Sequence, residues 1–281
     1  MLITRALQQK LFPKTILIAG PYAGEFGHEL LDWQGYIRAR KSSYEEVHVI
    51  TYPDREILYE GCIVHAHDIK LENAGYYYGN MSAQNLDLFA KQKADSLGLK
   101  DYDVFNANLL SSKYLRKVFW EQKFIKFYVP PVKKDMPDLI FHFRQIDKTG
   151  PDKNKNYPTD LANLIVELCN SSGYKVGCIG HPSYSYCPPN CIDFRVDRLN
   201  LEVTISAICA AKLVIGELSG PMHLANLCNK STLVWAQNQW RLDYCTRGNI
   251  FNVPIYFVTN NTFKPDPSII KIEIDRVLLK K

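Results

Sequence analysis

The segment Leu139-Ile-Phe-His-Phe-Arg-Gln-Ile-Asp-Lys-Thr-Gly150 constrains the fold of this chain more than any other. Its first five residues form a short, mostly apolar run that suits a strand buried on both faces. It then turns abruptly polar, so that His142, Arg144, Asp147 and Lys148 crowd the strand's carboxyl end. In open α/β sheets that end faces the ligand crevice. An arginine there, with an aspartate to hold it, suits a phosphate-bearing ligand, because the guanidinium fork matches phosphate oxygens bidentately. An ordinary strand end with a surface ion pair fits the same residues.

A second strand–turn–helix pattern lies near the start. Thr15-Ile-Leu-Ile-Ala-Gly20 reads as a buried strand that runs into a glycine-punctuated turn containing Gly24, Glu25, Gly27 and Glu29. Leu30, Leu31, Trp33, Tyr36 and Ile37 then recur near helical spacing, and Glu46–Thr51 supplies the next strand. This is the opening of a βαβ unit, with glycines that let backbone approach a ligand. The spacing is not GxGxxG, so no dinucleotide is expected. Glu25 and Glu29 are both candidates for a general base at a cleft mouth; acids that complement a helix dipole are the competing reading.

From Tyr52 to Lys126 the pattern weakens. Asn85 to Leu97 has helical spacing, and Ile63 to His67 is a possible strand carrying His65 and His67, which lack a third ligand nearby. Asp101-Tyr-Asp103 is formally a DxD, but it follows a turn and not an apolar strand, and is read as chance. Phe127 to Pro137 is proline-punctuated and reads as a stiff connector. Beyond it, a helix from Thr159 (capped by Thr159 or Asp160), a strand at Tyr174–Gly180 and a helix from Leu201 to Lys212 continue the alternation.

Leu213-Val-Ile-Gly-Glu-Leu-Ser-Gly-Pro-Met-His-Leu-Ala-Asn-Leu-Cys228 is the second strong signal. A strand ends at Gly216, a turn holds Glu217, Ser219 and Gly220, and Pro221 opens a helix. The free amides of that helix start, with Ser219, form a phosphate cradle, although Ser219 also suits a simple helix cap. A further strand at Lys230–Trp235 and a closing helix capped by Asp266 complete the chain.

The 281 residues leave room for two domains, set here at 1–130 and 131–281. Apolar residues at 46% and charged residues at 22% describe an ordinary globular protein. A formal charge of +5 is too mild to argue for a nucleic-acid partner but suits an anionic small ligand. No signal peptide or membrane span is expected, peripheral membrane contact stays open, and the eight scattered cysteines read as reduced thiols of a cytoplasmic protein. Cys187-Pro-Pro-Asn-Cys191 is a lone CxxxC, which argues against a zinc site.

His142-x-Arg144-x-x-Asp147-Lys148 resembles the donor-binding HxRxxDK-type motif of fucosyltransferases with the GT-B fold, and the Gly24-Glu-Phe-Gly27 loop resembles their acceptor-side glycine loop. The stretch Gly216-Glu-Leu-Ser-Gly-Pro-Met-His-Leu-Ala225 resembles the GxDSGxMHLA signature of ADP-heptose:lipopolysaccharide heptosyltransferases. Leu218 stands where that signature has an acid, and Gln145 where the fucosyltransferase motif has a second arginine. The resemblance implies an α/β, GT-B-like protein with two Rossmann-like domains facing a central cleft. It implies a metal-independent, inverting transfer of a sugar from a GDP-fucose-like or ADP-heptose-like donor to a glycan or other hydroxyl acceptor, with no cofactor. Arg144 would act on the leaving diphosphate. Gly24, Gly27, His142, Asp147, Lys148, Glu217, Ser219, Gly220 and His223 would bind substrate, and Glu25 or Glu29 would be the base. A nucleotide-sugar epimerase and a non-catalytic nucleotide- or sugar-binding module of the same fold are the alternatives.

Overall fold

The computed structural model describes residues 15–69, 82–106, 121–131, 135–146, 154–195, 201–258 and 262–279. The chain divides into two compact units, Met1–Phe124 and Ile125–Lys281.

Among the described residues, unit 1 is built on four parallel strands in the order β3-β2-β1-β4: β1 (Ile16–Ala19), β2 (Glu46–Thr51), β3 (Ile63–Ala66) and β4 (Tyr102–Phe105). The apolar run that suggested a buried strand is β1, at the centre. Helix α1 follows it. It opens at Phe26–His28, passes through a π-helical stretch at Glu29–Trp33 and continues as Gln34–Lys41. Helix α2 (Ala83–Ser96) packs Ala90 and Ala94 on Ile18 and Ile50. Trp33 is fully buried and stacks on Phe105 at 5.2 Å and on Tyr22 at 5.6 Å. Gly20, at φ +122°, is the one position of the loop after β1 with left-handed backbone. A Cβ there would lie 2.4 Å from the Ile50 carbonyl oxygen, so no other residue fits.

Asp101-Tyr-Asp103 runs into a strand after all, β4. Asp103 accepts a hydrogen bond from Tyr44 at 3.0 Å, which gives the acid a structural partner.

Among the described residues, unit 2 carries six parallel strands in the order β11-β10-β9-β5-β6-β8, with a short seventh paired antiparallel to β5. These are β5 (Leu139–Arg144), β6 (Val176–Cys178), β7 (Ser185–Tyr186), β8 (Ile192–Asp193), β9 (Leu213–Glu217), β10 (Thr232–Trp235) and β11 (Ile255–Phe257). The helices are α3 (Thr159–Ser171), α4 (Leu201–Ala210), α5 (Gly220–Leu227), α6 (Gln239–Arg247) and α7 (Pro267–Leu279). On one face of β5, Leu139, Phe141 and Phe143 pack with Ile165 and Val166 of α3 and Ile270 and Ile274 of α7. The alternation of a strand turns His142 and Arg144 away from that cluster.

Helix ends differ in detail from expectation. Asp266 does cap α7, accepting from the Ser268 amide at 2.8 Å. Helix α3, by contrast, begins after Pro158 with no side-chain cap, so neither Thr159 nor Asp160 serves. The stretch expected to be a stiff connector is docked on unit 2. The Phe127 amide donates to the Leu227 carbonyl at 2.9 Å, and the Ser206 hydroxyl donates to the Pro130 carbonyl at 2.7 Å.

Candidate functional site

Strand order places the site in unit 2. The chain moves outward from β5 to β6 and β8, then crosses back to lay β9 on the other side of β5. The β5/β9 boundary is therefore the topological switch point, where the crevice beyond the carboxyl ends of an α/β sheet opens. The parallel register pairs His142 with Gly216, so β5 ends at Arg144 beside the end of β9 at Glu217. Two stretches more than sixty residues apart in sequence meet there.

Gly216 is required for this closeness, since a Cβ on it would come within 2.8 Å of the His142 carbonyl oxygen. Gly180 does the same on the other flank. At φ +129°, its absent side chain leaves room for the His142 ring and for Ser185.

His142 and Glu217 form a buried pair. His142 Nε2 lies 3.5 Å from Glu217 Oε1, and both side chains are almost wholly enclosed. His142 Nδ1 lies 3.3 Å from the Ile179 carbonyl oxygen, which accepts only, so the ring hydrogen belongs on Nδ1 and Nε2 presents a lone pair. Burial, reinforced by Arg144 and Arg195, pulls His142 down to about 3 and keeps it neutral. Burial pushes the Glu217 carboxyl up to about 7, against the opposing pull of nearby amides and of Arg144. Near neutral pH, therefore, His142 is neutral and Glu217 is partly protonated, its carboxyl 3.5 Å from the lone pair of His142.

Helix α5 starts just beyond. Ser219 occupies its N-cap position, but the hydroxyl donates to the Glu217 carbonyl at 3.1 Å and does not cap a helix amide. The Ser219 carbonyl accepts from the Met222 amide at 3.1 Å and the His223 amide at 3.4 Å, and Pro221 has no N–H to offer, so the Gly220 amide is the donor this turn presents. Gly220 is the first residue of the helix, Pro221 lies in its first turn, and His223 is buried further along it. Leu218, where the heptosyltransferase signature has an acid, packs against the apolar group of Ala236, Leu242 and Phe263. Glu217, the neighbouring acid, is buried beside His142. Asp147 and Lys148 lie outside the described residues.

In unit 1 the loop after β1 also leaves the sheet at a switch point, between β1 and β4. Gly24 is buried and Gly27 sits in the first turn of α1. The two candidate bases differ sharply. Glu25 is half-buried at the N-cap of α1, its side chain takes no part in capping, and its carbonyl accepts from the Tyr22 hydroxyl at 2.6 Å. Glu29 is fully buried, accepts hydrogen bonds from Thr51 (2.6 Å) and Tyr59 (2.8 Å), and pairs with buried Arg55 at 3.4 Å. A carboxylate so occupied is built as an anchor. His28 and Asp32, 3.3 Å apart one turn along α1, are a partly exposed pair that the glycine-loop reading passed over.

One more group of reactive side chains appears in unit 2. The sulfurs of Cys178, Cys187 and Cys191 all lie within 4.8 Å of one another.

The sequence matches no known family description, and no curated protein matches it. Solved structures do resemble the fold. ADP-heptose lps heptosyltransferase II of E. coli is 12% identical with a TM-score of 0.57, over 95% of this chain and 99% of that one. E. coli heptosyltransferase WaaC with ADP is 13% identical with a TM-score of 0.51, over 93% and 99%. The iron-containing dodecameric glycosyltransferase TibC from enterotoxigenic E. coli is 17% identical with a TM-score of 0.49, over 88% of this chain; the chain spans 62% of TibC. At these identities the likeness establishes the α/β fold of the GT-B glycosyltransferases. The expectation of a protein without a metal site is corrected on geometry: the CxxxC read as solitary has a third thiol beside it in Cys178, and the three together could hold a metal ion. The missing signal was long-range, because a lone cysteine at the end of a strand carries no metal-ligand spacing.

Proposed function

We propose that the protein is a glycosyltransferase that takes its sugar from a nucleoside-diphosphate donor, with ADP-heptose-like donors favoured over GDP-fucose-like ones. One observation carries this reading: β5 and β9, adjacent at the switch point of unit 2, end together in Arg144, Glu217 and the start of α5. The first is a cation and the last a helix N-terminus, whose partial positive charge favours an anion; both suit a diphosphate. The preference for ADP rests on the heptosyltransferase-like order of residues 216–225 and on the fold shared with heptosyltransferases.

In the proposed reaction an acceptor hydroxyl attacks the anomeric carbon while the bond from that carbon to the diphosphate oxygen breaks. The electron pair leaves with the nucleoside diphosphate. Arg144 and the first turn of α5 stabilise the charge that grows there, and the motif resemblance assigns Asp147 and Lys148 to the same donor. The acceptor's proton passes to Glu25, because Glu29 is committed to Thr51, Tyr59 and Arg55. A partly protonated Glu217 competes less with the donor for Arg144 than a full carboxylate would, and His142 stands beside it at 3.5 Å.

Thermal unfolding with ADP, GDP, UDP and CMP tests the reading without knowledge of the acceptor, since a ligand of the folded state raises the midpoint with concentration. A concentration-dependent rise with ADP, lost in Arg144→Ala, is the expected result. No rise with any nucleotide at millimolar concentration overturns it.

A further inference from the structure

Away from the switch point, three cysteines converge from separate parts of unit 2. Cys178 is the last residue of β6 and is buried. Cys187 follows β7 directly, and Cys191 precedes β8 directly; both are half-buried. Between them Cys187-Pro-Pro-Asn-Cys191 forms a tight knuckle that turns at Asn190, with φ +62°. We propose that Cys178, Cys187 and Cys191 bind a thiophilic divalent metal ion, zinc or ferrous iron, which fastens the loop between β6 and β8 to the edge of the sheet.

The geometry suits this ligand class. Thiolates at about 2.3 Å from a tetrahedral ion stand about 3.8 Å from one another. The three sulfurs lie within 4.8 Å, so shifts of about 1 Å or less close the site. Soft sulfur donors select zinc and iron over magnesium or calcium. The nearest acid, Asp193, does not complete the set. Its two oxygens hold Arg195 at 2.9 Å and 2.8 Å, and one also accepts the Arg195 amide at 2.8 Å. The fourth position falls to water or another small ligand on the half-buried side.

The placement gives the ion a task. Ser185 and Tyr186, next to Cys187, pair antiparallel with Arg144 and Phe143 at the end of β5. The Arg195 guanidinium also donates to the Ser185 carbonyl. A metal at the three sulfurs would therefore hold β7 against the strand that carries Arg144. This inference does not rest on the glycosyltransferase reading, because its readout is metal content.

The test uses the full chain purified under reducing conditions. Metal is quantified by mass spectrometry as isolated and after separate loading with Zn(II), Fe(II) and Co(II), which distinguishes the candidate ions. The expected result is one ion per chain, with a sulfur-to-cobalt charge-transfer band in the Co(II) form. Cys187→Ser and Cys191→Ser should each lose the band, and Cys62→Ser, outside the cluster, should keep it. Cys178 is buried and its replacement risks the fold, so the two half-buried positions carry the test. Amide hydrogen exchange across residues 179–191 should speed up on metal removal. A reduced chain that binds none of the three ions overturns the proposal. So do metal retained in both Cys187→Ser and Cys191→Ser, and exchange indifferent to metal.

Discussion

Glu217→Gln separates a titrating buried acid from one that merely fills space. The carboxyl of Glu217 is moved by burial from its ordinary value of 4.5 up to about 7. Below pH 4.5 both folded and unfolded chains hold the proton, and the residue contributes no pH dependence. Between 4.5 and about 7 the unfolded chain releases the proton while the fold retains it. Folding stability therefore falls by about 1.4 kcal/mol per pH unit across that window. The loss totals about 3 kcal/mol by pH 7 and stays constant above it. Glutamine copies the shape of the protonated acid and never ionises, and its amide can donate to His142 Nε2. The variant should match the parent protein near pH 4.5 and exceed it by about 3 kcal/mol at pH 8. Urea unfolding of both proteins at pH 4.5, 6 and 8, without nucleotide, reads this directly. A constant gap between the two at all three values, or a variant less stable at pH 8, refutes the assignment of the proton to Glu217. The same variant bears on function. In the parent, ADP affinity should decline above pH 7 as ionised Glu217 draws on Arg144, and in Glu217→Gln the decline should vanish.

Arg144→Ala should weaken ADP binding about tenfold or more, in line with the 1.5–3 kcal/mol that a charged hydrogen bond contributes, with little change in unfolding midpoint; isothermal titration checks the first and thermal unfolding without nucleotide the second. Glu25→Gln should slow transfer by roughly 100-fold or more while donor affinity holds, and full transfer rates would remove Glu25 from the role of base. Glu29→Ala should cost about 3–5 kcal/mol of stability, because it strands the buried guanidinium of Arg55 and the hydroxyls of Thr51 and Tyr59. Denaturant unfolding measures that loss, and a change below about 1 kcal/mol would show that the Arg55 pair is not an anchor.

Residues with local signals were legible before the fold was known. The apolar run from Leu139 to Phe143 could hardly be anything but a buried strand, and the sequence Asp266-Pro267 at the head of α7 caps as expected. The alternation of strand and helix in the second half gave the α/β class. Features created by distant chain meeting distant chain were hidden. Glu25 and Glu29 are equivalent as acids beside a glycine loop, and only the packing of β2 and of the Glu56–Tyr59 turn separates them, by bringing Thr51 and Tyr59 to one carboxylate alone. Ser219 looked like a cap; the turn of its hydroxyl back to the Glu217 carbonyl depends on how β9 ends. The third thiol, Cys178, is invisible until β6 and β8 lie side by side.

The chemistry of the unit 2 site follows from two glycines as much as from its charged residues. Gly216 lets β9 press on His142, and Gly180 clears the other side of the same ring. The imidazole is thereby held with Nδ1 toward the Ile179 carbonyl and Nε2 toward Glu217. A histidine fixed in that tautomer favours a protonated neighbour, and a protonated Glu217 does not neutralise Arg144. Gly180→Ala would place a Cβ within 2.9 Å of His142 Nδ1 and 2.6 Å of Ser185 Oγ, at a backbone angle that alanine rarely adopts. Displacing the ring removes the acceptor from Glu217 and frees its carboxyl to turn toward Arg144. The expected signature is a loss of ADP affinity at pH 7 with Arg144 itself intact, and restoration of much of that affinity by adding Glu217→Gln. If Gly180→Ala binds ADP as the parent does, or if the second substitution recovers nothing, His142 does not control the charge at this site.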